Sequence, residues 1–180
     1  MNSTIILKGN ILYTPNPSAL VSIQQGYVIA VDGVVVHCGE SIPTVYTEYD
    51  VVDYGDNLII PGFVDTHAHA PQYCNRGLGM DKELLPWLET YTFPEEAKFI
   101  DPDYARLVYG AFVHDLWRNG TTRSILFGTI HKESTLVLME LLQKAGLSAY
   151  VGKVNMDRNS PEFLIEETNQ SLADTKVWLD

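Results

Sequence analysis

The segment from residue 58 to residue 69 constrains the fold more than any other part of this chain. It reads Leu-Ile-Ile-Pro-Gly-Phe-Val-Asp-Thr-His-Ala-His, an apolar run of strand type that Pro61-Gly62 interrupts and that ends in two histidines. Side chains on a strand alternate between faces, so we expect His67 and His69 to point the same way, with Asp65 on that face. Two neutral imidazoles at a strand end supply about half of the ligands that zinc takes from proteins.

A His-x-His pair also arises by chance. On its own it is a weak sign of a metal site, because zinc needs several converging ligands. The setting strengthens the metal interpretation, since two polar rings buried at a strand end with nothing to bind would be costly. Ala70-Pro71-Gln72 follows directly and is typical of a loop. The sequence therefore favours a metal site at the end of this strand.

Several motifs resemble a known family. The stretch Pro-Gly-Phe-Val-Asp-Thr-His-Ala-His at residues 61–69 resembles the first-strand signature of the metal-dependent amidohydrolase superfamily. Ala-Pro-Gln-Tyr at residues 70–73 and Trp-Leu-Glu-Thr-Tyr-Thr-Phe-Pro at residues 87–94 are similar to the guanine deaminase family within it. Residues 129–131 and 151–157 add to the match, so the resemblance covers most of the chain from about residue 58 onward.

The resemblance implies an α/β fold: a (β/α)8 TIM barrel, of which only the first strands and helices are present, with a small N-terminal β-sandwich domain. We expect residues 1–57 to be part of a composite β-sandwich and residues 58–180 to be the N-terminal part of the barrel. Such a barrel needs about 250 residues. The chain also stops inside a predicted helix that no cap, Gly or Pro closes. We therefore expect the N-terminal part of a longer protein.

The resemblance also implies an activity, the hydrolytic deamination of guanine to xanthine and ammonia by a metal-activated water. His67 and His69 carry over as ligands of zinc, with iron as the alternative because imidazole suits several metals. His69, Ala70, Pro71 and Gln72 carry over as the turn that contacts the substrate. The Gln72 amide offers a purine edge both a donor and an acceptor. The proton-shuttling carboxylate and two further ligands are expected beyond residue 180, so we assign no catalytic residue within this chain.

Composition and charge narrow the partners. The chain has 12 Lys and Arg and 23 Asp and Glu, which gives a formal net charge of −11. This charge repels a nucleic-acid backbone but not a small uncharged base. The N-terminus lacks the pattern of a secretory signal, and no apolar run approaches the ~20 residues that span a bilayer. Cys38 and Cys74 are too few for a disulfide framework, and Cys74 is interpreted as a buried thiol rather than a ligand. We expect a cytoplasmic enzyme without a nucleic-acid or membrane partner, and the resemblance implies a homodimer when complete.

Periodicity and turn signals predict the order of elements. Strands are expected at residues 4–8, 11–14 and 51–54, with a hairpin of residues 27–31 and 34–38 around Asp32-Gly33. From residue 58 the order strand, helix, strand, helix, strand, helix argues for a parallel sheet with right-handed crossovers. The predicted elements of this second part are a loop at 71–81, a helix at 82–90 disturbed by Pro86, a helix from Asp101-Pro102 to Asn119-Gly120, a strand at 121–129, a helix at 134–144, a strand at 148–155 and a helix from about 160.

Some side chains allow two interpretations. Trp87 and Tyr91 form an i, i+4 pair that either packs in the core, which we favour, or forms an aromatic wall near the substrate loop. His114 is interpreted as a packing histidine on its helix. His131 follows the end of a strand, where barrel enzymes place their chemistry, and we expect it to line the pocket without binding metal. The apolar face of the His114 helix is predicted to comprise Tyr104, Leu107, Val108, Ala111 and Phe112.

Two alternatives to guanine deamination remain open. The first is another amidohydrolase, such as a cyclic amidase, that uses Lys153 as a carbamylated bridge between two metals; residues 87–94 argue against it. The second is a non-catalytic piece that binds partners through open sheet edges, because two histidines alone hold zinc weakly. Metal analysis separates the first from guanine deamination, and a guanine turnover assay separates the second.

Overall fold

The chain folds into two units, one of residues 1–61 and one of residues 62–180. The computed structural model describes residues 3–179. Residues 1 and 2, and Asp180, where the sequence predicts that the chain stops inside a helix, lie outside the described residues. No described helix combines the length and the apolar character that a membrane crossing requires.

The first unit is built on a four-stranded sheet in the order β3-β2-β1-β4. Neighbouring strands run antiparallel except for β1 and β4, which are parallel. Ile6, Ile11 and Ile29 are its buried apolar side chains, and Ile6 lies opposite Ile29 in the pairing of β1 with β2. A second sheet layer is not among the described residues. The strands are β1 (Thr4–Asn16), β2 (Ala19–Val31), β3 (Val34–Gly39) and β4 (Val51–Ile59).

The hairpin of the first unit is confirmed, but the two short strands before it are one. Asp32 and Gly33 join β2 to β3 with φ of 50° and 80°, as a two-residue hairpin turn requires. The prediction of separate strands at 4–8 and 11–14 is wrong because Asn10 lies within β1, opposite a bulge of β2 at Gln25, rather than in a turn. Its side-chain oxygen accepts the Gln25 N–H at 3.1 Å and its amide donates to the Asp56 carbonyl at 2.9 Å, which stabilises the bulge.

The histidine strand begins later than the sequence predicts. Leu58 and Ile59 pair with β1 as the end of β4 instead of opening the histidine strand. Proline cannot donate to a strand ladder, so Pro61-Gly62 separates two strands of different sheets rather than interrupting one strand. The apolar run at residues 58–64 is thus shared between the two units.

The second unit contains a three-stranded parallel sheet in the order β5-β6-β7, which confirms the predicted parallel arrangement. Helices of this unit alternate with its strands along the chain. The strands are β5 (Phe63–His69), β6 (Thr121–Phe127) and β7 (Ser148–Gly152). The α-helices are α1 (Leu84–Trp87), α2 (Phe93–Ala97), α3 (Pro102–Arg118), α4 (Lys132–Lys144) and α5 (Thr168–Leu179).

Helix α3 starts as predicted but presents a different face to the core. The Asp101 carboxylate accepts the Asp103 N–H at 2.9 Å, which confirms the N-cap. Val108 and Phe112 of the predicted apolar face are buried, but Leu107 is 72% exposed, so that face is confirmed only in part. The His114 side chain is 71% exposed, so its predicted packing role is wrong. The face that packs against α4 is rotated by about one position. Its buried side chains are Ala105, Val108, Tyr109, Phe112, Val113 and Leu116.

The last strands are shorter than predicted and the last helix starts later. Backbone hydrogen bonds continue past both strands, from the Gly128 N–H to the Gly152 carbonyl at 2.8 Å and from the Val154 N–H to the Thr129 carbonyl at 3.2 Å, but residues 128–129 and 153–155 fall outside the strands. Instead of a helix from about 160, a single 3-10 turn (Glu162–Leu164) precedes α5. Helix α5 begins only after Glu167, whose carboxylate accepts the N–H groups of Asn169 and Gln170 and caps the helix.

Candidate metal and substrate site

The two histidines lie together at the C-terminal end of β5. The centroids of the His67 and His69 rings are 5.2 Å apart. His69 is paired in the parallel ladder with Phe127 of β6, and the two rings stack at 4.6 Å with an angle of 14° between their planes. Because Phe127 also lies 5.2 Å from the His67 ring, it supports both imidazoles from one side. The sequence analysis missed Phe127, since only the register of the two strands brings it here.

Asp65 fixes the backbone beneath the first ring. The pairing of β5 with β6 shifts between Asp65 and Ala68, which marks a bulge. The Asp65 carboxylate accepts the His67 N–H at 3.0 Å, within this irregular stretch. The bulge re-aims the side chains that follow it, a common use of bulges next to active sites.

The electrostatic surroundings of His69 favour its neutral form. Burial lowers the pKa of the His69 imidazole, and the neighbouring His67 lowers it further. A neutral imidazole has a free ring nitrogen to offer a metal ion. The ring is therefore prepared to act as a ligand at neutral pH.

The pair fits part of a zinc site. Within residues 3–179 no group of three or more histidine, cysteine, aspartate or glutamate side chains converges as a complete site would. Imidazole nitrogen is a regular zinc ligand, so the chemistry of the two rings suits the ion, and the remaining ligands would have to come from elsewhere. Cys74 is exposed, so the prediction of a buried thiol is wrong.

Gln72 shares a hollow with both histidines. His67, His69 and Gln72 line a cavity of about 330 Å³, together with Trp87 and the loop that follows Gln72. This volume is in the range of small-molecule sites. Ala70 and Pro71 are buried and their side chains do not line it. The structure thus brings together three of the five predicted site residues in one hollow, whereas the other two are buried outside its lining.

The turn that carries Gln72 is helical. The loop predicted at 71–81 begins instead with a 3-10 helix (Ala70–Asn75), which has Pro71 in its first turn. Proline is pre-organised for such a start, since its N–H is not needed there. The Gln72 side-chain N–H donates to the Glu96 carboxylate on α2 at 3.2 Å. Burial raises the pKa of the Glu96 carboxyl, and the hydrogen bond from Gln72 opposes that effect. No sequence signal pointed to Glu96 as the partner of Gln72.

Residues 87–94 anchor the loop that follows this turn. The Asn75 amide donates to the Tyr91 carbonyl at 3.0 Å, and the Trp87 indole N–H donates to the Leu78 carbonyl at 3.0 Å. Gly79 has φ of +65°, and a Cβ there would lie 2.4 Å from the Tyr91 ring. Trp87 and Tyr91 are half-buried and do not belong to the hydrophobic core, so the core packing that we favoured is wrong. Trp87 lines the hollow beside this loop, as the alternative interpretation had it.

The backbone of this anchoring segment departs from the predicted helix at 82–90. Helix α1 covers one turn and continues as a π-helix (Leu88–Thr92) and then as α2. The Phe93 N–H bonds to the Leu88 carbonyl in the wider π spacing. Pro94 has no N–H to give the preceding turn, which removes one regular α-helical bond here.

Lys153 lies outside this hollow and is held by three acceptors. Its side chain is fully buried, and Nζ donates to the Val154 carbonyl at 2.9 Å, to Asn155 Oδ1 at 3.1 Å and to Glu166 Oε1 at 2.8 Å. These contacts use all three donors of an ammonium group. A carbamylated lysine needs a free amine directed at the metals, so this geometry argues against the Lys153 bridge.

His131 lines a different hollow from the two β5 histidines. This second cavity, of about 440 Å³, lies between the start of α4 and residues near α5, including Glu166 and Asp174. Burial lowers the pKa of the His131 imidazole. His131 is thus not among the residues that line the hollow at His67, where we expected it.

Comparison with known proteins decides the family. Residues 58–178 match the amidohydrolase family. The chain belongs to this family. Its resemblance to guanine deaminases is confirmed by two curated relatives. The guanine deaminase of Dictyostelium discoideum is 51% identical over 130 residues, which are 72% of this chain and 29% of the relative. That of Escherichia coli K12 is 38% identical over 166 residues, which are 91% of this chain and 38% of the relative.

A solved structure extends the likeness to the fold. The crystal structure of guanine deaminase from C. acetobutylicum, with guanine bound in its active site, is 48% identical and superposes with a TM-score of 0.92. The match covers 98% of this chain and 42% of that protein. The mixed α/β fold of this chain is thus that of the amidohydrolases, and the chain spans less than half the length of the relatives it matches.

Proposed function

We propose that the whole protein to which this chain belongs deaminates guanine hydrolytically to xanthine and ammonia. The observation that carries the proposal is the shared hollow, in which two imidazoles able to bind a metal lie beside an amide able to bind a purine. Guanine is proposed as the substrate because two relatives that are 51% and 38% identical to this chain are guanine deaminases.

We assign His67 and His69 as ligands of Zn²⁺, with iron as the alternative. A bound zinc ion lowers the pKa of its water to about 7 and so supplies hydroxide at neutral pH. This chain's own residues position the ligands: the Phe127 ring stacks on His69 and the Asp65 carboxylate accepts the His67 N–H. Burial lowers the pKa of His69, which favours the neutral form that a metal needs. The remaining ligands and the proton-shuttling carboxylate would come from outside these 180 residues.

Gln72 binds the purine in this proposal. Its amide has one acceptor oxygen and two N–H donors, which suits the alternating donors and acceptors of a purine edge. His69 lines the same hollow, so the base would lie between the metal ligands and Gln72. Ala70 and Pro71, whose side chains are buried, would contact the base only through their backbone.

The assembly of the whole protein is part of the same proposal. The first unit, residues 1–57 by sequence prediction and 1–61 in the structure, would be part of a composite β-sandwich domain. The second, predicted as residues 58–180, would be the N-terminal part of a (β/α)8 barrel, in a cytoplasmic homodimer. Among the described residues, β3 and β4 are the edge strands of the first unit's sheet. Further strands of the composite domain would pair with these edges.

The test is guanine turnover by the complete protein with Gln72→Ala and Gln143→Ala, the latter an exposed glutamine on α4 outside the hollow. We expect xanthine from the wild type, and a guanine KM that Gln72→Ala raises about tenfold through one lost hydrogen-bonding group, while zinc content is retained. Gln143→Ala should match the wild type, and residues 1–180 alone should be inactive. A wild type that forms no xanthine would refute the function. Equal loss of zinc and substrate binding in Gln72→Ala would refute the role of Gln72.

A further inference from the structure

The Gln72 side chain is held by a buried carboxylate that the proposed chemistry does not use. Glu96 is 9% exposed, and its Oε1 accepts the Gln72 amide N–H at 3.2 Å. Gln72 lines the hollow, whereas Glu96 does not, so Glu96 lies behind Gln72 as seen from the site. A carboxylate buried in this position is costly, and the hydrogen bond from Gln72 offsets part of that cost.

The neighbouring carboxylate has a different environment. Glu95 is 6% exposed, but it pairs with the Lys98 ammonium at 2.6 Å and accepts a hydrogen bond from the Tyr104 hydroxyl. Lys98 lies in the turn that follows α2 and Tyr104 lies on α3, and both contacts stabilise the Glu95 carboxylate. Two buried carboxylates, adjacent in sequence, thus have separate partners, and only Glu96 contacts a residue of the hollow.

The carboxylate decides which way the Gln72 amide points. An amide can rotate by half a turn and exchange its oxygen and its NH₂ group at little cost. In the structure Nε2 of Gln72 faces Glu96 Oε1, and a carboxylate oxygen that accepts this hydrogen bond favours that orientation over one that brings two acceptor oxygens together. That choice leaves Oε1 and the second N–H of Gln72 for the hollow. Because guanine has an NH₂ donor and several acceptors at defined edges, the wrong amide orientation would put donor against donor.

We propose that Glu96 is a positioning residue for the substrate: its carboxylate fixes the Gln72 amide so that Oε1 and one N–H face the bound base. The inference rests on the proposed function, since it concerns how the same hollow recognises guanine. It adds a residue that touches neither metal nor substrate.

The experiment compares the complete wild-type protein with Glu96→Leu, Glu96→Gln, Gln72→Ala, the double variant Gln72→Ala/Glu96→Leu, and Glu95→Gln as the control. Guanine KM, kcat, bound zinc and thermal midpoint are measured for each. Glu96→Leu fills the volume without an acceptor and should raise KM about tenfold, with kcat and zinc content changed much less. Glu96→Gln should raise KM about threefold, since its amide still accepts in one of two orientations. Glu95→Gln should leave KM near the wild-type value.

The double variant separates positioning from a merely structural role. Without the Gln72 amide nothing remains for Glu96 to orient, so Gln72→Ala/Glu96→Leu should have the KM of Gln72→Ala alone. Independent effects, which multiply in the double variant, would overturn the inference, and so would an unchanged KM in Glu96→Gln. If Glu96→Leu does not fold, the KM of Glu96→Gln decides: a raised KM supports the inference and a wild-type KM overturns it. Failure of the wild type to form xanthine refutes the proposed function itself, whereas xanthine from a Glu96→Gln variant with wild-type KM refutes only this inference.

Discussion

Replacement of Lys153 by methionine should destabilise the protein by removing the partner of a buried charge. Glu166 is 11% exposed and pairs with the fully buried Lys153 ammonium at 2.8 Å. Breaking such a pair from one side costs about 3–5 kcal/mol, because the remaining charge is left uncompensated. In the variant, Glu166 still accepts a hydrogen bond from the Met156 N–H, 2.8 Å away, and Asn155 still accepts one from the Ser171 hydroxyl, 2.8 Å away. We therefore expect the lower end of that range, about 3 kcal/mol.

Urea unfolding of the complete protein, followed by circular dichroism, measures this loss. Lys144→Met is the matched control, since Lys144 is exposed and pairs with Glu140 on the surface of α4, where a pair contributes at most about 1 kcal/mol. The double variant Lys153→Met/Glu166→Leu should recover most of the stability, because it removes both charges. An unchanged urea midpoint in Lys153→Met would refute the structural role of the pair. An intact mass with one added CO₂ on Lys153, together with two bound metals, would instead support the carbamylated bridge.

Two further predictions concern the turn that carries Gln72. Gly79→Ala should lower the thermal midpoint and raise the guanine KM, because alanine is strained at φ +65° by about 1 kcal/mol and its Cβ would lie 2.4 Å from the Tyr91 ring. The control is Gly110→Ala, which lies within α3 with open space around it and should do neither. Equal behaviour of the two variants would contradict the role of Gly79 in holding the loop beside the hollow. The free energy of unfolding should also depend on pH through Glu96, because burial raises the pKa of this carboxyl in the folded protein. The stabilisation that its protonated form gives is fully present below the pKa of the unfolded chain and is lost as pH rises through the pKa of the folded protein. The stability of Glu96→Gln relative to the wild type should therefore increase over that window, and a difference that does not vary with pH would contradict the burial of a charge there.

The parts of the site that depend on local pattern could be predicted from the sequence. Strand alternation and a two-residue spacing place His67 and His69 together, and Gln72 follows within one short turn. The capping aspartate of α3 and the Asp32-Gly33 hairpin are local for the same reason. Each of these features involves residues close in the chain, so no tertiary information was needed.

The remaining parts depend on contacts between distant residues. Phe127 meets His69 only through the register of β5 with β6, and Glu96 meets Gln72 only because α2 packs on the 3-10 turn. Sequence periodicity located the apolar stripe of α3 about one position off, since Tyr109 is buried although it fits the polar side of the predicted pattern. Lys153 was assigned to a strand because its neighbours are apolar, whereas its three hydrogen-bond acceptors lie in the segment that follows β7 and in the approach to α5.

The most direct test of the account is metal content and guanine turnover of the complete protein with both His67 and His69 replaced by alanine. Elemental analysis of the purified protein gives the metal, and xanthine formation gives the activity, with a thermal midpoint to show that the variant is folded. We predict a wild type that contains metal and forms xanthine, and a folded double variant that has lost both. Undiminished conversion of guanine by the double variant would contradict the central claim that these two imidazoles hold the ion that activates water.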